Sequence, residues 1–279
     1  MRKQSFTRRD YKDYELKKLQ KTELEILCDV IRICDENNIQ YFTVGGTTLG
    51  AIRHNGFIPW DDDIDIGMLR EDYERFIRIA PQELKKGYTL SHFLYEPTSP
   101  TYYAKVRKDG TEFVEGYTRN IKMHHGIFID IMPYDKIPEN DLERRRYRKR
   151  VKIWNQLYIA KTVWTSTFLP SRHKMLLNCI RAFLHVLMAP VPKHYLYRKT
   201  DEAMRAYNES TSHTVSSRAL PVFDCKIESL LPAVNHTFES INVKIPADAD
   251  QVLKTQYGDY MKLPPLEKQY SHAPVYLKL

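Results

Sequence analysis

The sequence predicts an α+β fold that carries a helical insertion, and three observations lead to this prediction. Apolar residues recur at helical spacing from Tyr11 to Asn37. Short β-branched and aromatic runs, separated by turn residues, follow as far as residue 137 and are typical of a sheet. From Pro138 the sequence becomes basic and helical as far as about Asn208. With 42% hydrophobic and 28% charged residues, the 279-residue chain has the composition of a soluble globular protein of one or two domains.

The elements can be assigned in order along the chain. The first helix places Leu16, Leu19 and Leu27 on one face, as an amphipathic helix requires. The pattern then predicts a buried strand at 40–44, a short helix at 47–54, and a helix at 71–80 that Pro81 should end. Further along it predicts a strand-rich stretch at 88–114, a strand at 126–131, three helical stretches between 138 and 208, a strand at 240–245 and a helix at 248–257.

An acidic strand is the most informative feature. In Asp63-Ile64-Asp65-Ile66 the strand period of two sends both carboxylates to one face and both isoleucines to the other. Two carboxylates held close together repel each other, and a divalent cation relieves that repulsion. Hard oxygen ligands favour Mg²⁺ or Mn²⁺. Asp61 is in phase with this pair and is either a further ligand or a strand-entry residue.

A glycine pair precedes the acidic strand. Gly45 and Gly46 follow a predicted strand and lead into a predicted helix that begins at Thr47. Glycines allow the backbone to approach a ligand closely, and a helix N-terminus offers unpaired N–H groups to an anion. Thr47 can cap that helix or bind a phosphate. Most Gly-Gly pairs are only turns, but this pair together with the acidic strand favours a site that handles phosphate.

A third carboxylate lies in another apolar run, Gly126-Ile127-Phe128-Ile129-Asp130-Ile131. This run reads as a central strand, where an ionised carboxylate without a partner is costly. If the strand that carries Asp130 lies beside the strand that carries Asp63 and Asp65, the three carboxylates converge. Asp130 should then be either ionised against a metal or paired with a basic residue. A triad of Asp63, Asp65 and Asp130 with a Gly-Gly turn resembles the nucleotidyltransferase superfamily, in which such a triad binds the catalytic metals.

The segment GGTTLGAIRHNGFIPWDDDIDIGMLREDYERF resembles the signature of the LicD family, bacterial phosphocholine transferases that are similar here to the fukutin-type ribitol-phosphate transferases. The stretches GIFIDIMPY (126–134) and YGDYMKLPP (257–265) fit the same family, whereas 138–217 is less distinctive. The resemblance implies a nucleotidyltransferase-like mixed sheet flanked by helices. It also implies that Asp63, Asp65 and Asp130 bind metal and that Gly45 and Gly46 form the donor-phosphate turn.

Four other residues are candidates for binding the donor, and each has a simpler alternative. Arg53 can bind a phosphate or interact with the C-terminal dipole of the short helix. Lys105 and Arg107 share one strand face, where they either neutralise a pyrophosphate or lie in solvent. Trp60, directly before the acidic run, can stack on a base or on a quaternary ammonium, or it can close the edge of the core.

The sequence divides into a catalytic core at 1–137, a helical insertion at 138–217 and a C-terminal segment at 218–279 that returns to the core. The apolar stretch 175–189 is shorter than the roughly 20 residues that a spanning helix needs. It is therefore either a buried helix or an interfacial helix on an anionic membrane surface, with the basic run at 144–150 nearby. The insertion could alternatively contact the acceptor.

The net charge limits the class of binding partner, and the cysteines indicate the cellular compartment. The net charge of +8 suits an anionic partner, but no nucleic-acid-binding motif is present, so we expect no nucleic acid. The four cysteines have no metal-binding spacing and fit reduced thiols. No apolar segment follows the basic start, so a signal peptide is not expected. These features predict a cytoplasmic protein, with peripheral attachment to the inner face of the membrane as an option.

The resemblance implies a reaction. We expect transfer of phosphocholine, or a similar phospho-alcohol, from a CDP-linked donor (CDP-choline favoured) to a sugar hydroxyl, with release of CMP. The acceptor would be a polysaccharide or lipid-linked glycan, such as teichoic acid or lipopolysaccharide. Two alternatives remain at this point: a nucleotidyltransferase that releases pyrophosphate, and a nucleotide-binding protein without catalysis.

Overall fold

The computed structural model describes residues 11–163, 174–217, 224–272 and 274–279. Its helices are α1 (Asp13–Glu36), α2 (Gly45–His54), α3 (Arg70–Glu83), α4 (Asp141–Thr162), α5 (Lys174–Leu187), α6 (Lys193–Met204), α7 (Ile227–Leu230) and α8 (Ala249–Tyr257). Its strands are β1 (Phe42–Thr43), β2 (Asp65–Leu69), β3 (Tyr88–Ser91), β4 (Ala104–Lys108), β5 (Glu112–Val114), β6 (Phe128–Lys136), β7 (Thr214–Ser216), β8 (Asp224–Lys226), β9 (Val234–Phe238), β10 (Ile241–Ile245) and β11 (Tyr276–Lys278).

Most of the expected elements are present, with two instructive differences. Helix α2 begins at Gly45 rather than at Thr47, so the glycine pair forms the first residues of the helix, and Gly45 adopts a left-handed φ of 55°. Helix α3 continues through Pro81 to Glu83. Pro81 removes only its own N–H donor, and the helix closes after it with Leu84 N donating to Ala80 O at 2.9 Å.

The central sheet is mixed, which confirms the α+β prediction. Its strand order is β1-β2-β6-β4-β3, and β7 and β8 extend it from the end of β6. Strands β2 and β6 run parallel, and the other paired strands are antiparallel. Strand β6 thus lies between β2 and β4, with its residues Ile129 and Ile131 fully buried. Two small sheets, β9 with β10 and β5 with β11, lie outside it.

The acidic segment keeps the expected phase. Burial alternates from Asp61 to Ile66, so that Ile64 and Ile66 are fully buried while Asp61, Asp63 and Asp65 are partly exposed. Regular pairing begins only at Asp65, however, so Asp63 belongs to the loop that enters β2. The two isoleucines pack in the main core under α1 and α3, and this packing fixes the face on which the carboxylates lie.

Helices α4, α5 and α6 occupy the stretch between β6 and β7. The chain leaves the sheet at the end of β6 and returns as β7, which pairs with β6 through Asp135 and Ser216. Arg70 of α3 joins the two parts, because it binds Asp135 of β6 and Asp201 of α6. Among the helices of the described ranges, none is both long and apolar enough to cross a bilayer.

Candidate active site

Strand register brings Asp65 and Asp130 together. The two residues are direct partners in the parallel pair of β2 and β6, and Lys105 of β4 is the partner of Asp130 on its other side. Three charged residues therefore form one row across the sheet. The adjacency of the two acidic strands, which the sequence left as a condition, is present in the structure.

Lys105 serves as the counter-charge of Asp130. Its Nζ lies 2.7 Å from Asp130 Oδ1 and 3.4 Å from the centroid of the Phe128 ring. Arg107, two residues along β4, donates to Gly126 O at 2.9 Å and packs on the same ring. Both cations are almost fully buried, at 2% and 1% exposed, so the alternative of a solvated strand face is wrong.

A cavity of about 400 Å³ opens over the acidic segment. This volume is within the usual range of small-molecule sites, about 300–1,000 Å³. The predicted site residues that line it are Gly45, Gly46, Arg53, Trp60, Asp63 and Asp65. A larger cavity of about 840 Å³ lies between α1 and the β9–β10 hairpin, but the acidic residues in its lining are Glu25 and Glu239, neither of which is a predicted site residue.

The two glycines serve different purposes, because Gly46 has little room for a side chain whereas Gly45 adopts a left-handed φ of 55°. A methyl group on Gly46 would lie 2.7 Å from Asp61 Oδ2, and one on Gly45 would lie 3.9 Å from Asp65 Oδ2. The start of α2 is thereby packed directly on the acidic segment. Thr47 does not line the cavity, but its Oγ1 accepts a hydrogen bond from the backbone N–H of Asp65, a lining residue, at 2.8 Å. Thr47 thus orients Asp65.

Arg53 and Trp60 form the side of the cavity that faces the C-terminal segment. Arg53 Nη1 donates to Tyr260 O at 2.7 Å, and Nε donates to His54 Nε2 at 2.9 Å. Trp60 packs on Leu49 and Leu253 and is 9% exposed, so it closes a core edge and borders the cavity at the same time. The two interpretations of Trp60 are compatible in this geometry.

Two residues far from the motif in sequence complete the acidic segment. Asp62 Oδ2 accepts from the hydroxyl of Tyr11 at 2.8 Å, and Oδ1 accepts from His272 N at 2.7 Å. His272 Nδ1 also lies 3.4 Å from Asp63 Oδ2. Asp62 therefore ties both ends of the described chain to the site, a role that its position out of phase with Asp61 and Asp63 did not reveal.

Glu23 of α1 is a buried carboxylate that the sequence reasoning missed. It is 1% exposed, its Oε2 has no hydrogen-bond partner among the described residues, and burial and the charge of Asp63 raise its pKa. One turn earlier, Gln20 Nε2 donates to Asp61 O at 2.9 Å, so this face of α1 lies on the acidic segment. The sequence contained a signal for this residue, because Glu23 is four residues from both Leu19 and Leu27 and therefore lies on the apolar face of the helix.

Burial and mutual repulsion raise the pKa values of the carboxylates. Burial is the largest cause for Asp65, followed by the charges of Asp63 and Asp130, and its pKa lies well above the usual range. The pKa of Asp63 is raised to about 6, chiefly by burial, while the charge of His272 opposes the rise. The pKa of Asp130 is also raised by burial, against the opposing charge of Lys105. The fold therefore disfavours the ionised forms of these carboxylates, and a bound cation would favour them.

The carboxylates supply the ligand type of a divalent metal ion, although the described residues form no preformed cage. Asp63, Asp65 and Asp130 offer carboxylate oxygens, the ligand type that Mg²⁺ and Mn²⁺ prefer. Across the described ranges, no three His, Cys, Asp or Glu side chains are arranged to hold a metal. Asp130 and Asp63 instead face Lys105 and His272, the nearest positive groups. Ligation therefore requires these side chains to turn from protein cations to the metal.

Comparison with known proteins identifies the family. The profile described as LicD/FKTN/FKRP, nucleotidyltransferase domain, matches residues 38–194. The lipopolysaccharide cholinephosphotransferase LicD of Haemophilus influenzae is 30% identical over 270 residues, which cover 92% of this chain and 97% of that protein. The ribitol 5-phosphate transferase FKRP of Homo sapiens is 42% identical over 119 residues, or 41% of this chain and 24% of that protein.

The matched profile contains the glycine pair and the acidic segment, which line the cavity, and Asp130, which is the strand partner of Asp65. The near full-length likeness to LicD extends over the helical insertion and the C-terminal segment as well. This chain is a member of the LicD/FKTN/FKRP family.

Proposed function

We propose that this protein transfers phosphocholine from CDP-choline to a sugar hydroxyl of a cell-surface glycan and releases CMP. The observation that carries the proposal is the pairing of Asp65 with Asp130 beside a cavity that the start of α2 borders. Choline is favoured over ribitol because the relative that matches nearly the whole chain is a cholinephosphotransferase. The relative named for ribitol 5-phosphate matches less than half of the chain.

The reaction forms one bond and breaks one. The acceptor hydroxyl oxygen attacks the phosphorus that carries choline, the bond from that phosphorus to the CMP oxygen breaks, and the hydroxyl proton passes to a carboxylate of the site. Asp63, Asp65 and Asp130 would hold Mg²⁺ or Mn²⁺, which as a Lewis acid lowers the cost of negative charge on phosphoryl oxygens. Arg53 lines the cavity and can pair with a donor phosphate.

The other residues of the site position the donor and the carboxylates. The N-terminus of α2 faces the cavity with Gly45 and Gly46, where unpaired N–H groups favour an anion. Trp60 offers an aromatic surface to the cytosine ring or to the trimethylammonium group of choline. Lys105 favours the ionised form of Asp130, while Arg107 packs on the Phe128 ring.

We further place the reaction in the cytoplasm, with a polysaccharide or lipid-linked glycan, such as teichoic acid or lipopolysaccharide, as the acceptor. The cysteines are all free thiols, and Cys34 and Cys225 are buried, as suits a reducing compartment. The carboxylates of the site leave the alternative of a nucleotidyltransferase open, because the same groups would serve attack at the nucleotide phosphorus.

The test is an incubation with Mg²⁺ and, separately, CDP-choline, CDP-ribitol, CDP-glycerol or CTP, with a membrane extract as acceptor. CMP and pyrophosphate are separated by chromatography, and labelled choline is followed into the glycan. CMP release with choline transfer that Asp65→Asn abolishes is the expected result. Asp141→Asn, which removes a carboxylate that is 86% exposed on α4, is the charge-matched control.

Three other outcomes would change the conclusion. CMP from CDP-ribitol or CDP-glycerol alone would keep the chemistry and replace the alcohol. Pyrophosphate released from CTP would identify a nucleotidyltransferase. Tight binding of CDP-choline with no product from any donor, in an extract that a known phosphocholine transferase can use as acceptor, would leave a nucleotide-binding protein.

A further inference from the structure

Helix α5 presents an apolar stripe to solvent. Its largest exposed side chains recur at intervals of three and four residues, so they lie on one face. They are Leu176, Ile180, Phe183, Val186 and Leu187, and each is 46 to 70% exposed. Single exposed apolar residues are ordinary on a soluble protein, but five on one 14-residue helix form a patch that marks an interaction surface.

The opposite side of α5 is fixed to the protein. His185 Nδ1 lies 2.9 Å from Ala160 O, and Lys161 Nζ donates to Ala189 O at 2.7 Å, just beyond the end of the helix. The C-terminal end of α5 is therefore seated on α4, and the apolar stripe is the face left over. Because these hydrogen bonds hold the other side of α5 against α4, the apolar stripe cannot turn inward to pack in the core of the protein.

The positive charge of the insertion indicates what kind of partner the apolar stripe contacts. Residues 138–217 contain 15 Lys or Arg and 6 Asp or Glu, a net charge of +9, whereas the whole chain carries +8. The remainder of the chain is thus −1, so essentially all of the positive excess lies in the segment that carries the stripe. On α4, the exposed residues Lys149 and Lys152 flank Ile153, which is itself exposed. A second copy of this segment would be repelled, whereas an anionic surface would be attracted.

We propose that α5 lies in the interface of an anionic lipid bilayer, with the Leu176–Leu187 stripe among the acyl chains and the basic residues of α4 near the headgroups. A helix of 14 residues is about 21 Å long, too short to span a bilayer but suited to lie in its surface. This contact goes beyond the transfer reaction and does not depend on the identity of the donor. It would hold the enzyme where a lipid-linked glycan is found.

Vesicle co-sedimentation tests the proposal with the full chain. Vesicles of phosphatidylcholine mixed with phosphatidylglycerol should sediment the protein, and vesicles of phosphatidylcholine alone should sediment much less of it. Phe183→Ser should weaken the binding about tenfold, because a large apolar side chain no longer enters the acyl region. The matched control is Leu266→Ser, which changes a side chain that is 77% exposed outside the insertion and should bind as the wild type does.

Paired charge variants test the electrostatic part. Lys149→Gln with Lys152→Gln should weaken binding to the anionic vesicles about tenfold, since each basic residue near such a surface adds severalfold to the affinity. Lys17→Gln with Lys21→Gln removes two exposed lysines of α1 and should leave binding unchanged. All four positions are exposed, so circular dichroism should report a folded protein in every case.

Three results would overturn the proposal. One is the absence of sedimentation with anionic vesicles. Another is equal sedimentation of the wild type and the Phe183→Ser variant. The third is a dimer by light scattering that Phe183→Ser converts to a monomer, which would assign the stripe to a second copy of the chain.

Discussion

Strand β6 carries two buried aspartates with opposite surroundings. Asp135 forms two hydrogen bonds with the Arg70 guanidinium, at 2.8 and 2.5 Å, and accepts a third from Asn208 at 2.7 Å. Asp130, five residues earlier, has Lys105 on one side and a group of carboxylates with raised pKa values on the other. The charge of Asp135 is fully paired within the protein, whereas around Asp130 the fold disfavours the ionised forms of several carboxylates. If Asp130 belongs to the active site, as we propose, stability and function are separated along one strand.

The largest expected effect is on catalysis at the site that contains Asp65 and Asp130. Asp65→Asn should lower the rate of phosphocholine transfer about 10³-fold or more, because it removes a charge that the reacting phosphates require. The same change should raise the free energy of unfolding of the metal-free protein by about 1 kcal/mol, since one of several mutually repelling charges is lost. Steady-state kinetics and denaturation in EDTA measure the two effects. A less stable protein would show that the carboxylates are already satisfied.

At Asp135 the expected pattern is the reverse, with a large loss of stability and little change in the transfer rate. Asp135→Asn should lower the free energy of unfolding by about 3 kcal/mol, because Arg70, 11% exposed, loses its bidentate partner inside the protein. Urea denaturation measures this loss. The transfer rate per folded molecule should change little, and a loss of rate as large as that of Asp65→Asn would contradict the separation of the two sites.

A pH effect on stability should come from His92, which lies near Arg70. This imidazole is fully buried, and its Nε2 contacts the hydroxyl of Tyr197 of α6 at 3.1 Å. Burial and the charge of Arg70 lower its pKa to about 4. Below about pH 6.5 the unfolded chain binds a proton that the folded protein refuses, so the stabilising contribution is lost as the pH falls toward 4.

The measurement is the free energy of unfolding of the wild type minus that of His92→Gln, at pH 7 and at pH 4.5. We expect the difference to shrink by about 2 kcal/mol at the lower pH. The carboxylates of the site have raised pKa values, so their contribution to stability increases as the pH falls. This contribution is the same in both proteins and cancels in the difference. Parallel pH profiles for the two proteins would mean that His92 is protonated in the fold.

The smallest predicted effects come from alanine substitutions at two separate glycines, Gly46 in the site and Gly110 outside it. Gly46→Ala should lower the transfer rate about tenfold, because the new methyl group displaces the Asp61 carboxylate by a few tenths of an ångström. Its effect on stability should be slight, since a flexible side chain absorbs the shift. Gly110→Ala is the opposite case, because its φ of 77° strains the backbone while nothing lies within 4 Å. It should cost about 1 kcal/mol of stability and no activity.

Sequence periodicity was sufficient to predict the face on which Asp61, Asp63 and Asp65 lie, because the alternating isoleucines can be buried in only one phase. It could not predict the register that makes Asp65 and Asp130 partners, which depends on long-range strand pairing. Nor could it predict that Lys105 is buried against Asp130, because β4 is covered on both faces and alternation carries no signal there.

The residues missed by sequence analysis share a different cause. Tyr11 and His272 are far from the acidic segment in the chain and reach Asp62 only through the fold. Glu23 was visible as an acidic residue on the apolar face of α1, but the pattern alone does not say what that face meets. The domain bounds and the predicted roles of the site residues remain predictions, which the variants above address.

The return of the chain to β6 has an evolutionary consequence. Ile137 and Thr214 stand at the two ends of the insertion, and Ile137 N donates to Thr214 O at 2.9 Å. A segment whose ends are joined in this way can be exchanged for another without moving Asp130, which lies in the other half of β6. A descendant could thus acquire a new surface or a new acceptor by recombination between these two points, while the chemistry at the other end of the strand is inherited intact.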